Sequence, residues 1–261
     1  MKLVASSKLH KAQQSIEAVR PYELTLEDIL SVVDSYRAGE VARRKPSDAP
    51  VAVVAISSNS SLCGAFNSNV IHKTLEACTD FISVKMFPVG RKIAEAMGKL
   101  GHTAEADYSD IINKPDYSKS AALASELVRR FEAGEFSKVM LVYNHFVSSA
   151  TQVPVVEQYL PYELPSEQEA EERRMHNDDY IFEPDPATLA AKLLPYLLNM
   201  KLHAAVLDSA AAEHAARTVA MQTASENAER LLSDLTLEYN KGRQEKITSE
   251  LLDIEGAEGG E

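Results

Sequence analysis

Residues 196–241 read YLLNMKLHAAVLDSAAAEHAARTVAMQTASENAERLLSDLTLEYNK, with Pro195 before them, Gly242 after them, and no proline or glycine between. A run of 46 residues without either helix breaker can form one helix, roughly 70 Å long at 1.5 Å per residue. Within it Met200, Leu207, His214, Met221, Ala228 and Leu235 recur every seven residues. Ala204, Ala211, Thr218, Ser225, Leu232 and Tyr239 form a companion series four residues later. Two interleaved series at that spacing make a coiled-coil seam, and its small residues let a partner helix come close while giving up apolar contact area. His214 falls on this seam, where it reads either as a register-setting polar residue or as a pH-sensitive contact.

The partner is expected at the other end of the chain. Met1, Ala5, Leu9, Ala12, Ile16 and Val19 are spaced by threes and fours, the period of one helix face. Pro21 is expected to kink this helix or to start a second one through Leu26, Ile29, Leu30 and Val33, ending near Gly39, with a linker from Pro46 to Pro50. The two terminal helices pair most simply as an antiparallel coiled coil. The first is the shorter, so part of the long helix is left to pack against other proteins.

Between them the signals alternate. Val51–Ile56 is a continuous apolar run rich in β-branched residues, as in a strand covered on both faces. Further strands are expected over Ile82–Phe87, Lys138–Phe146 and Gln152–Tyr159, the last two as an antiparallel pair. Helices are expected over Ala65–Ala77, Arg91–Leu100 and Ser120–Glu132. Such alternation gives an open, Rossmann-like α/β domain over residues 50–160.

Composition narrows the function. The net charge of -12, from 27 basic and 39 acidic residues, argues against non-specific nucleic-acid binding, which needs cations to neutralise phosphates. The acidic side is concentrated in 163–179, which reads as a solvated loop. No apolar stretch approaches a membrane span, and the first residues do not form a signal-peptide pattern. Cys63 and Cys78 are the only cysteines and read as reduced thiols, with no histidine at ligand spacing.

Catalytic signals are weak. Ser57–Gly64, after the first strand, lies where an α/β domain can cradle phosphate, yet it lacks the glycine pattern, so it reads as a polar strand-to-helix turn. Cys63 as a nucleophile and Asn144-His145 as an acid–base pair have no companions at suggestive spacing. We expect no metal, no cofactor and no active site. The alternative is a small-molecule-binding α/β domain carried on an oligomerising stalk; a static coiled-coil adaptor is a further one.

Several segments together decide between these. Met1–Leu9 (MKLVASSKL) with Ala12-Gln13, Arg20-Pro21-Tyr22, Leu62–Asn67 (LCGAFN), Glu183–Pro186 (EPDP), Ala216-Arg217 through Asn227, Tyr239–Gln244 (YNKGRQ) and Ile247-Thr248 resemble the gamma subunit of F-type ATP synthases, nearly end to end. That resemblance implies a non-catalytic rotor. Its paired terminal helices form a shaft inside a ring of alpha and beta subunits, and its α/β domain lies near the epsilon subunit and the membrane c ring, so that proton flow drives ATP synthesis on the beta subunits. It implies a peripheral position on the cytoplasmic face of the bacterial plasma membrane. Arg243, Gln244 and Thr248 match shaft positions that touch the catalytic ring, and Arg20, Pro21, Tyr22, Tyr180 and Glu183 match a foot meeting the c ring and epsilon. The implied organisation is a coiled-coil helix (1–45), an α/β domain (50–160), an acidic loop and foot (161–186), a long helix (187–255) and a tail (256–261). Two departures accompany it. Family members carry more of the first helix upstream, and Asn59-Ser60-Ser61 stands where the family commonly has Asp-Arg-Gly.

Overall fold

The computed structural model describes residues 2–35, 49–162, 183 and 185–258. Helix α1 (Lys2–Ser35) precedes β1 (Val51–Ile56), α2 (Phe66–Thr79), β2 (Val84–Val89), α3 (Arg91–Lys99), α4 (Ser109–Asn113), α5 (Tyr117–Glu132), β3 (Lys138–Phe146), β4 (Gln152–Leu160) and α6 (Pro186–Glu258). Residues Met1–Val219 form one compact unit and Ala220–Glu261 another.

The first unit is built on a four-stranded sheet in the order β2-β1-β3-β4. Strand β1 pairs in parallel with both neighbours, and β3 pairs antiparallel with β4. All six β1 residues are buried, because helices cover both faces of a central parallel strand. On one face Val51, Val53 and Ala55 pack with Val70 and Cys78 of α2 and Ile93 and Met97 of α3. On the other, Ala52, Val54 and Ile56 join Leu123 and Leu127 of α5, Leu26 and Leu30 of α1, and Leu197, Leu198 and Leu202 of α6. The long helix is thus rooted in the α/β core.

The helix boundaries correct several expectations. Pro21 lies inside a single helix and starts no second one. The flanking turns, held by the packed residues on either side, carry the helix past the missing amide hydrogen. Helix α6, expected over 187–255, spans Pro186–Glu258 and runs through Pro195 and Gly242. It begins where Asp185 Oδ1 accepts the Thr188 amide at 2.9 Å, a side-chain cap with Pro186 in the first turn. Strand β2 starts at Val84, opposite Val51, so Ile82 stands in solvent rather than in the sheet. Pro88 is accommodated because β2 is an edge strand. Asp116 caps α5 through the Ser118 amide at 3.0 Å and brings its start forward to Tyr117. The five-residue α4 is too short for periodicity to reveal. The expected helix end at Gly39, most of the linker and the acidic loop lie outside the described residues.

Candidate partner-binding surfaces

The loop that leaves β1 serves the fold. At the start of α3, Ser57 Oγ accepts the Ile93 amide at 2.9 Å, Asn59 Oδ1 accepts the Arg91 amide at 2.8 Å, and the Ser58 carbonyl accepts the Lys92 amide at 3.2 Å. The first amides of α3 are therefore already satisfied by the loop. Gly90, at φ +118°, is required there, since a Cβ would come 2.2 Å from the Ser57 carbonyl oxygen. Cys63 is buried and its Sγ accepts from Asn67 Nδ2 at 3.1 Å, so the thiol is a packing group. Asn59 Nδ2 also donates to the Ser109 carbonyl at 2.8 Å and to Asn113 Oδ1 at 2.9 Å, drawing in α4.

The same loop ties the sheet to α6. Arg217 Nη2 donates to Ser60 Oγ at 2.9 Å, while Nη1 pairs with Glu213. Glu213 is buried, and desolvation pushes its carboxyl above the ordinary range although Arg217 opposes this. The expectation that Ser57–Gly64 is a structural turn thus acquires a specific task. The Arg217–Ser60 link joins residues 157 apart and carries no periodic or spacing signal.

Helices α1 and α6 pack antiparallel within the first unit. Leu9 meets Ala211 and Ala215 in one apolar cluster, and further along α1 Glu27 Oε1 accepts from Lys201 Nζ at 3.1 Å. The alanines let Leu9 and Phe146 close on α6, while Ala212 and Ala216 receive Cys63 and Phe66. His214 is half-buried; burial first, then Arg217 and Lys8, depresses its pKa to about 4. It is therefore neutral near pH 7, which disfavours a switch in the physiological range, and its Nδ1 has no hydrogen-bond partner. At the end of β3, Asp208 of α6 binds His145 through Oδ2 and the Phe146 amide through Oδ1 at 3.0 Å. Asn144 Nδ2 donates to the Phe66 carbonyl at 2.9 Å. The Asn144-His145 pair thus anchors strand to helix.

Between α1, the β3–β4 hairpin and α6 lies a cleft of about 450 Å³. Glu17, Arg20, Glu23 and Glu27 of α1, Tyr143 and His145 of β3, Glu157 of β4, and Lys201 and Asp208 of α6 face it. Its groups are largely paired with one another. Tyr143 Oη donates to Glu157 Oε1 at 3.0 Å, and Tyr162 Oη donates to Glu27 Oε1 at 3.0 Å.

The second unit is helical from Ala220 to Glu258 and exposes a large apolar complement for its size. Leu231, Leu232, Leu235, Leu237, Tyr239, Ile247 and Leu252 are all exposed. Helices of ordinary sequence are held by burial of an apolar face, so this one calls for a surface to cover it.

A family model described as ATP synthase matches residues 1–258. The ATP synthase gamma chain of Phocaeicola vulgatus is 47% identical, with 98% of this chain and 91% of the relative covered. That of Flavobacterium johnsoniae is 39% identical over 98% of this chain and 90% of the relative. This chain belongs to the ATP synthase gamma-chain family. Among solved structures, a chain from the central stalk and c ring of the Tetrahymena thermophila mitochondrial ATP synthase superposes with a TM-score of 0.65 at 22% identity, covering 86% of this chain and 97% of that one. A chain of the Euglena gracilis mitochondrial ATP synthase, solved with OSCP, F1 and c ring, gives 0.58 at 20% identity, covering 97% and 94%. Both share the fold. The role expected from the sequence, that of a rotor shaft, is the one that membership among the gamma chains gives this protein.

The gamma-chain residues singled out from the sequence fall in separate places. Arg243, Gln244 and Thr248 lie on the exposed part of α6, where Thr248 Oγ1 donates to the Gln244 carbonyl at 2.9 Å. Arg20, Pro21 and Tyr22 form an exposed stretch of α1, with Arg20 reaching the cleft. Glu183 is exposed just ahead of α6, and Tyr180 lies outside the described residues. Among the described residues no helix is long and apolar enough to cross a membrane.

Proposed function

We propose that this gamma chain is the non-catalytic shaft that couples proton flow through a membrane c ring to ATP synthesis on the beta subunits of an alpha/beta ring. The exposed apolar complement of residues 220–258 is the observation that carries the reading, because it suits a sleeve of surrounding subunits. A rod that presents a different face to each of several like subunits favours a different conformation in each, and coupling is that difference in contact free energy. Arg243 supplies an ionic contact to a ring carboxylate, Gln244 hydrogen bonds beside it, and Thr248 continues the same contact zone. Arg20, Pro21, Tyr22, Tyr180 and Glu183 form the foot that meets the c ring and the epsilon subunit. The protein then sits peripherally on the cytoplasmic face of the bacterial plasma membrane.

Reconstitution tests this. The chain is mixed with alpha and beta subunits, and ATP hydrolysis and single-molecule rotation are followed. Rotation that depends on the chain, and is absent when residues 220–261 are removed, is expected. A static complex whose ATPase is unaffected by the chain rejects the proposal in favour of an adaptor.

A further inference from the structure

From Asp208 to Arg217 helix α6 reads DSAAAEHAAR and carries no apolar side chain larger than alanine. A packed helix is held at one angle mainly by bulky knobs seated in holes, and a surface of methyl groups resists rotation about the helix axis only weakly. Nearer its start α6 has such knobs in Leu197, Leu198, Leu202 and Val206, all seated in the core. The alanine stretch has none, and it is the last part of α6 before the first unit ends at Val219.

Polar ties stand at both ends of that stretch. Asp208 Oδ1 accepts the Phe146 amide at 3.0 Å and Oδ2 binds His145, so one carboxylate grips two consecutive residues at the end of β3. Arg217 Nη2 donates to Ser60 Oγ at 2.9 Å, while Glu213, one turn back on the same helix, holds Nη1 and so fixes the guanidinium plane. Both side chains are 15% exposed, so water competes little with either tie. Residues 208 and 217 are separated by about two and a half helical turns, which puts their side chains on opposite sides of the α6 axis. One tie runs to β3 and the other to the loop after β1. Two restraints on opposite sides of an axis oppose rotation as a couple, each acting at the radius of the helix. Lys201 and His203 repeat the pattern further back: Lys201 reaches Glu27 of α1, and His203 Nδ1 lies 3.2 Å from Ser120 Oγ of α5, again from nearly opposite sides.

We propose that Asp208 and Arg217 form a torsional clamp that fixes the angle of α6 about its own axis within the α/β domain and carries the torque of the turning shaft. The clamp rests on the rotor role and assigns its load to particular side chains. Asp208 and Arg217 are positioning residues in it, and Glu213 stiffens one arm. The alanines give close approach without interlock, so the angular setting in this stretch depends on the two ties.

Single-molecule rotation of the chain reconstituted with alpha and beta subunits tests the clamp. A probe is attached to the α/β domain through Lys99→Cys, an exposed position, while Cys63 and Cys78 are buried and stay unlabelled. The angular variance of the probe is read during the pauses between steps. Losing one of two comparable ties in Asp208→Ala is expected to raise that variance about twofold. Asp208→Asn keeps an oxygen for the Phe146 amide and should stay near the native value. Ser60→Ala, a mild change in an exposed loop position, should widen the variance less than Asp208→Ala does, and it decides alone if Asp208→Ala does not assemble. Ile93→Ala in α3 weakens the core without touching either tie and should leave the variance unchanged. Native variance in both Asp208→Ala and Ser60→Ala overturns the clamp and leaves the rotor role standing. So does an equal widening in Ile93→Ala, which would make the effect one of stability. A native complex that does not rotate removes the rotor role, and the clamp with it.

Discussion

Lys201 Nζ lies 3.1 Å from Glu27 Oε1, joining α6 to α1 between residues 174 apart in sequence. Glu27 is buried and accepts from Tyr162 through the same oxygen, so the lysine neutralises a carboxylate that water hardly reaches. Removing one partner of such a pair is costly because the other charge remains buried. Lys201→Met is expected to lower stability by about 3 kcal/mol, read from urea unfolding, and Glu27→Gln in the same chain should restore part of it. A loss no larger in Lys201→Met than in an exposed lysine substitution contradicts this.

Arg217 performs a similar service for Glu213 and also holds the loop after β1. Arg217→Met should destabilise the chain by about 3 kcal/mol and raise hydrogen exchange at residues 58–61. Glu213→Gln alone should cost less, since Arg217 keeps Ser60 and the buried group is then neutral.

His214 makes the stability of the chain depend on pH. Its folded pKa is depressed to about 4 from 6.5, so its contribution is present above 6.5 and is lost as pH falls toward 4. Discounted for its partial exposure, the loss between pH 7 and pH 5 is about 1 kcal/mol. His214→Asn should remove that slope. Urea midpoints of the native chain and the variant at pH 5, 6, 7 and 8 check this.

Arg243 and Gln244 are exposed and their replacement touches no core packing. The double alanine variant should leave the stability of the isolated chain within about 0.5 kcal/mol, while lowering coupled ATP synthesis in the reconstituted complex. Unchanged synthesis removes these residues from the contact with the ring.

Local signals in the sequence located the four strands and the longer helices, and the matched segments located the family. The fully apolar Val51–Ile56 marked a central strand, and the periodicities of the terminal helices marked faces that meet around Leu9 and Ala211, whereas Ser225, Ala228, Leu232, Leu235 and Tyr239 of the heptad series are exposed. Tertiary structure decided where those elements stop and which polar groups meet. Pro21 starts no second helix, and α6 passes through Pro195 and Gly242 on either side of the breaker-free run 196–241: local propensity costs a few kcal/mol, and flanking helical turns outweigh it. The Asp208 anchor, the Arg217–Ser60 link and the Lys201–Glu27 pair join residues far apart in the chain. No periodicity encodes such meetings, which arise only when α1 and α6 have closed against the sheet and water has been excluded between them.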